Sequence, residues 1–227
     1  LSTEQVPHVS PAEIYEKAKK QHDQNLQRLL IVEDNDELRN YLTHTLSDNY
    51  TIQTCSNGKE ALTIVKEYMP ELIISDIMMP EMRGDELCAA IKNDIETSHI
   101  PIILLTALND EKNILEGLKI GADEYIVKPF NIGILKATIA NLLTNRALLK
   151  SKYANLEVSE EEEVSPNCAT DLDWKFIATV KKSVEENIDN PAFNVDVLCN
   201  LLNMSRTSFY NKLKALTDQA LSLIHIS

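Results

Sequence analysis

Cysteine is sparse in this 227-residue chain, with four in all, at Cys55, Cys88, Cys168 and Cys199. They are far apart, with no C-x-x-C pair and no nearby histidine cluster. That spacing argues against a disulfide framework or a zinc site and points to small buried thiols in a reducing cytoplasm. Long apolar runs are also missing. No stretch approaches a membrane span and no charged-then-apolar leader opens the sequence, so no membrane contact is expected. Positive charge is short as well: Lys and Arg total 22 against 35 Asp and Glu, a net charge of −13. A generally adhesive nucleic-acid binder is thereby excluded, and any DNA contact has to come from a local patch. The first residue is Leu1 rather than methionine, which sets the expectation of a part of something longer.

What is present is enough apolar residue, 44%, for one well-buried domain and a smaller second unit. Residues 1–27 are polar, carry Pro7 and Pro11, and read as a linker from an upstream domain. From Arg28 the texture changes. Leu29-Leu30-Ile31-Val32 is a continuous apolar run ending in Glu33-Asp34, as a strand buried on both faces reads. Leu38, Tyr41, Leu42, Thr45 and Leu46 then recur at helical spacing. The alternation continues with strands at Tyr50 to Cys55, Glu71 to Asp76, Ile100 to Leu105 and Glu124 to Val127. Helices marked by Ala61, Leu62 and Val65, by Leu87, Cys88 and Ile91, and by Ile114, Leu115 and Leu118 lie between them. A long helix begins after Pro129. Five strands alternating with helices call for an α/β doubly wound fold, its five-stranded parallel sheet covered on both faces.

The acids fall where such a fold does its chemistry, beyond the carboxyl ends of the strands. Strand one ends in Glu33-Asp34, strand three in Asp76 and strand four in Thr106, while Lys128-Pro129 follows strand five. Three close carboxylates repel one another unless a divalent cation sits among them, and magnesium suits such an oxygen-rich setting. A carboxylate beside a hard cation is a nucleophile toward phosphoryl groups, with the lysine neutralising charge and the hydroxyl binding phosphate. Each residue also has a plain reading: Asp34 as a helix N-cap, Lys128 as a surface charge, Tyr125 as a core aromatic.

From Arg28 to Arg146 the sequence resembles the receiver domain of two-component response regulators. The strings that carry the resemblance are Leu30-Ile31-Val32-Glu33-Asp34, Ser75-Asp76-Ile77-Met78-Met79-Pro80 with Gly84, Pro101 to Ala107, and Gly121 to Phe130. It implies a flavodoxin-like strand order, 2-1-3-4-5. It further implies that Asp76 accepts phosphate from a histidine kinase, and that Mg2+ is held by Asp34, by Glu33 mainly through water, by Asp76, and by the backbone carbonyl of Met78. Lys128 becomes the phosphate-contacting lysine, Thr106 and Tyr125 the switch pair, and the Lys128-Pro129 bond cis. The expected activity is phosphoacceptance with self-phosphorylation and dephosphorylation rather than catalysis on a separate substrate. A magnesium-dependent phosphohydrolase on a similar fold is the rival, but the motif set lacks a separate general acid.

The remainder reads as helical. Leu135, Ile139, Leu142, Leu149 and Leu156 follow a 3-4 spacing, as either a homodimer seam or an amphipathic core helix does. Residues 149–170 combine a helical extension with an acidic linker, Glu160 to Glu163 included. Beyond it come a helix with Phe176, Ile177, Val180 and Val184 on one face, a short helix with Leu198, and a third after the N-cap Ser205. That third helix is expected to expose Arg206, Thr207, Ser208, Asn211, Lys212 and Lys214, types that contact bases and phosphates; a solvated basic helix is the plain alternative. Asn194 to Thr217 resembles the first helix-turn-helix of AraC-type regulators, which normally carry two. Residues 171–227 are therefore expected to be a partial DNA-binding domain, and residues 28–148 the receiver. The combination resembles the output end of hybrid two-component sensor proteins such as those of gut Bacteroides. The expected function is phosphorylation-gated control of promoter DNA binding, with a phosphorelay or docking receiver as the alternative.

Overall fold

The computed structural model describes residues 26–107, 121–154, 170–188, 190 and 192–217. The expected linkers, the Ile114 helix, Cys168 and residues 221–227 lie outside them. The strands are β1 (Gln27–Val32), β2 (Tyr50–Cys55), β3 (Leu72–Asp76), β4 (Ile102–Ala107) and β5 (Glu124–Lys128). They form one parallel sheet in the order β2-β1-β3-β4-β5. The described helices are α1 (Asp36–Leu46), α2 (Gly58–Tyr68), α3 (Gly84–Asn93), α4 (Ile132–Ala154), α5 (Asp171–Glu186), α6 (Val195–Leu201) and α7 (Arg206–Thr217).

Strand alternation divides the core into two layers. Leu30, Val32, Ile73 and Leu104 meet Ala61 and Val65 of α2 and Leu87 and Ile91 of α3 on one face. Leu29, Ile31, Ile74 and Ile103 meet Leu42 and Leu46 of α1 and Leu135 and Ile139 of α4 on the other. Each central strand is thus buried on both faces, which is why β1, β3 and β4 read as unbroken apolar runs. Leu135 and Ile139 are fully buried here. The first positions of the supposed dimer seam are therefore core positions, because this stripe of α4 is what covers the sheet. The side chains of Leu149 and Leu156 fall outside the described residues.

The helix starts follow ordinary capping chemistry. Asn35 caps α1 by accepting from the Leu38 amide at 2.9 Å, and Asn57 caps α2 by accepting from the Glu60 amide at 2.9 Å. The cap of α1 is therefore Asn35 and not Asp34, which leaves the Asp34 carboxylate for other work. Ser205 caps α7 through the Ser208 amide at 3.0 Å. The left-handed Asn203, φ 53°, lies in the turn between α6 and α7.

Helices α5, α6 and α7 enclose a third apolar cluster around Phe176, Leu198 and Phe209, and Ile95 of the α3–β4 connection packs against it. At its centre the Lys212 ammonium donates to Asp173 at 2.6 Å and lies 5.6 Å from the Phe176 ring centroid. Lys212 is 0% exposed and Asp173 2%. The expectation that Lys212 faces solvent is corrected: it shares the inward stripe of α7 with Phe209, Leu213 and Leu216, and Asp173 draws it in. Burial pushes the Asp173 carboxyl up, but the charge and hydrogen bond of Lys212 outweigh this and hold it below the ordinary carboxylate value. A depressed carboxylate contributes stability that is present above its unfolded pKa, near 3.9, and lost as pH falls through the lower folded value. Lys212→Ala is expected to destabilise the helical unit by about 3–5 kcal/mol at neutral pH, since it strands a buried carboxylate. Urea unfolding followed at Trp174 is the measurement, and the gap between variant and parent should shrink below about pH 4.

Candidate functional site

A parallel sheet brings the carboxyl ends of all its strands to one edge, and β1, β3 and β5 deliver their polar residues there. Ligand oxygens of Glu33, Asp34 and Asp76 lie within 4.8 Å of one another, and this is the cluster of metal-capable side chains found among the described residues. Glu33 is 1% exposed and Asp76 9%, while Asp34 faces solvent. The Lys128 ammonium reaches between them, 2.9 Å from Glu33 Oε2 and 3.1 Å from Asp76 Oδ1. Lys128 is thus no free surface charge. Its backbone enters a cis bond to Pro129, as the resemblance implies.

Burial pushes the Glu33 carboxyl above the ordinary carboxylate range, against the opposing pull of its hydrogen bond to Lys128. One ammonium does not balance three carboxylates. The remaining negative charge, on oxygens that are partly solvated at Asp34, fits a hard divalent cation such as magnesium by donor type. Asp76 Oδ1 also accepts from the Ile77 amide at 2.9 Å, which fixes the carboxylate at the rim. Gly84 holds the turn behind it: a Cβ there would stand 2.0 Å from the Asp76 carbonyl oxygen, so only glycine allows the chain to pass so close.

Thr106, 1% exposed, lies at the end of β4, its hydroxyl donating to the Ala107 carbonyl at 3.3 Å. Tyr125 pairs with Leu104 in the β4–β5 register and so occupies the same sheet face as Thr106, one pleat away. Its hydroxyl is buried without a hydrogen-bond partner, and burial pushes its pKa up to about 12. An unpaired buried hydroxyl is costly. Met78 follows β3 in the bend, its side chain 55% exposed and its sulfur 3.0 Å from Arg83.

Of the α7 residues expected at DNA, Arg206, Thr207, Asn211 and Lys214 are exposed and Ser208 is half-buried. They lie far along the chain from the acid cluster. Sequence reasoning missed two groups. Arg39 donates to the Glu33 carbonyl at 2.6 Å from the first turns of α1, and Lys92 pairs with Asp123 at 2.6 Å below β4 and β5. Both are long cations on helices beside strand ends, a signal visible only once the strands are aligned.

The fold and rim define a doubly wound α/β domain with an acidic cluster at the carboxyl edge of its sheet, and the comparisons name it. Residues 29–140 match the profile of the response regulator receiver domain. The crystal structure of the signal receiver domain of a signal transduction histidine kinase from Syntrophus aciditrophicus is 34% identical with a TM-score of 0.51, covering 61% of this chain and 97% of that one. The chain belongs to the response regulator receiver domain family. It is 43% identical over 190 residues to Histidine kinase P4 of Formosa agariphila, covering 84% of this chain but 14% of that protein. It is 42% identical over 128 residues to the probable transcriptional regulator ycf27 of Guillardia theta, covering 55% of this chain and 49% of that protein. The chain thus spans a small part of the first relative and about half of the second. No described helix is long and apolar enough to cross a membrane.

Lys128→Ala leaves three carboxylates facing one another, so it is expected to cost about 1–2 kcal/mol of stability at neutral pH. Thermal unfolding should show Mg2+ raising the melting temperature more in the variant than in the parent, because the cation replaces the lost charge.

Proposed function

We propose that this chain is a phosphorylation-gated signalling module in which Asp76 accepts a phosphoryl group from a histidine kinase. The observation that carries the reading is Asp76 at the sheet edge, 3.1 Å from the Lys128 ammonium and clustered with Glu33 and Asp34. An oxygen of Asp76 attacks the phosphorus of a phosphohistidine, the P–N bond breaks, and the imidazole nitrogen leaves with its electron pair. Lys128 offsets charge on the transferring oxygens, and the Thr106 hydroxyl donates to the bound phosphate. Glu33, Asp34, Asp76 and the Met78 carbonyl would hold Mg2+, which would supply further charge neutralisation at the transferring oxygens. Phosphorylation adds about −1.5 to −2 charges at Asp76. Thr106 is drawn toward that charge, vacating space on the face it shares with Tyr125, whose unpaired hydroxyl favours relocation.

The output we propose is transcriptional. Residues 171–217 fit the first half of an AraC-type domain, with Arg206, Thr207, Ser208, Asn211 and Lys214 of α7 as the groove-facing set. Lys212 leaves that set because it is buried. The same burial, and a histidine kinase as relative, favour a second reading, a receiver that relays phosphate or docks a partner without binding DNA.

Intact-mass analysis after treatment with acetyl phosphate and Mg2+ tests the first step. The parent is expected to gain one phosphate, lost when magnesium is withheld, and Asp76→Ala to gain none. A parent that stays unmodified and also fails to bind beryllofluoride contradicts the phosphoacceptor reading. For the output, binding to promoter fragments should weaken steeply with salt, as phosphate contacts dictate. Absence of specific binding in either phosphorylation state favours the relay reading.

A further inference from the structure

The Lys212–Asp173 pair does not end within its own helical unit. Ser98, in the connection between α3 and β4 of the receiver, donates its hydroxyl to Asp173 Oδ1 at 2.9 Å and accepts from Lys212 Nζ at 2.8 Å. Ser98 is 0% exposed, Thr97 2% and His99 5%, so the helical unit covers this connection. Ile95 adds an apolar contact to the cluster of α5 to α7, and α4 packs along α7. The contact lies at the amino-terminal end of β4, opposite the edge that carries Asp76. Beside it, Asn211, Lys214 and Ala215 of α7 form one wall of a cleft of about 520 Å³, with Arg28, Glu67, Glu71 and Arg146 of the receiver opposite.

We infer that Ser98 latches the helical unit to the base of the receiver, and that the latched form bars the second half of α7 from duplex DNA. Two features make the contact a latch rather than a permanent weld. Both members of the ion pair come from the helical unit itself, so it survives undocking. Ser98 supplies one hydroxyl, a role that a water molecule takes over when the unit departs. Barring follows from size. A major groove about 12 Å wide and 8.5 Å deep puts duplex on both sides of an inserted helix, which a cleft of this volume does not admit. The barring half of the inference rests on the DNA-binding reading of α7; the latch does not.

Hydrogen-exchange mass spectrometry on the full chain, comparing parent with Ser98→Met, tests the latch. The substitution removes the hydroxyl and adds bulk without changing charge. Amides in residues 94–101 are expected to exchange about tenfold faster, with β1 and β3 unchanged. Should β1 and β3 also loosen, Ser98→Ala takes its place, with a smaller rise confined to the same segment. Unchanged exchange in residues 94–101 in both variants overturns the latch. Titration with a mixed-sequence duplex at low salt tests the barring, the Ser98 variant being expected to bind several-fold more tightly. Equal affinity of variant and parent, with exchange raised, overturns the barring. If exchange rises and neither protein binds duplex, the DNA-binding reading fails and the latch stands.

Discussion

Everything at the working edge of this molecule depends on three carboxylates being held together against their own repulsion. In water such groups would drift apart or take up protons; here the backbone forbids the first and an ammonium resists the second. The parallel sheet delivers Glu33, Asp34 and Asp76 to one rim, and the core on both faces fixes the strands that carry them. Lys128 then enters from β5 to contact Glu33 and Asp76 together. Gly84 contributes by having no side chain, since a Cβ would strike the Asp76 backbone and push the rim apart. A negatively charged oxygen site maintained in this way has the donor set that a hard divalent cation takes.

The receiver half was legible because burial on both faces leaves unmistakable apolar runs, and because polar residues stand where those runs stop. The limits of that legibility are physical too. Ile100 reads as the first residue of a strand, yet β4 begins at Ile102. Pro101 has no amide to donate, and residues 97, 98 and 100 close turns through Asp94 and Thr97 instead. Ile100 is still 1% exposed, so its apolar character reports burial and not strand. Asp34 shows the same one-residue ambiguity. Both Asp34 and Asn35 are good caps, and only the backbone decides that Asn35 takes the α1 amide.

Lys212 is the instructive error. Divided into apolar and polar faces by residue type alone, the α7 sequence sends this lysine to solvent. By position it belongs elsewhere: 209, 212, 213 and 216 are the i, i+3, i+4, i+7 stripe of one buried face. Asp173 holds the first place of the corresponding stripe of α5, ahead of Phe176, Ile177 and Val180. Opposite charges placed in facing apolar stripes are a pair until shown otherwise, because neither is stable there alone. Periodicity thus outweighs residue type when the two conflict. What no periodicity reveals is Ser98, a small residue in a connection, whose role appears only when two units of the chain meet.

That meeting changes what an affinity for DNA would mean. If α7 is available only when undocked, the apparent dissociation constant is the intrinsic one divided by the undocked fraction. A docking preference of about 1.4 kcal/mol lowers apparent affinity roughly tenfold, and about 2.7 kcal/mol lowers it roughly a hundredfold. Weak binding by the whole chain would therefore measure the balance between receiver and helical unit as much as the chemistry of Arg206, Asn211 and Lys214. On the DNA-binding reading, any input that shifts the balance changes the apparent affinity without touching a base contact. The acid cluster lies at the far end of the sheet from Ser98, so a signal linking them has to pass through an element that reaches both ends. Helix α4 does so, starting just after Lys128-Pro129 and packing farther along against α7. Its Leu135 and Ile139 anchor it in the core, so a shift of α4 has to move as a rigid body.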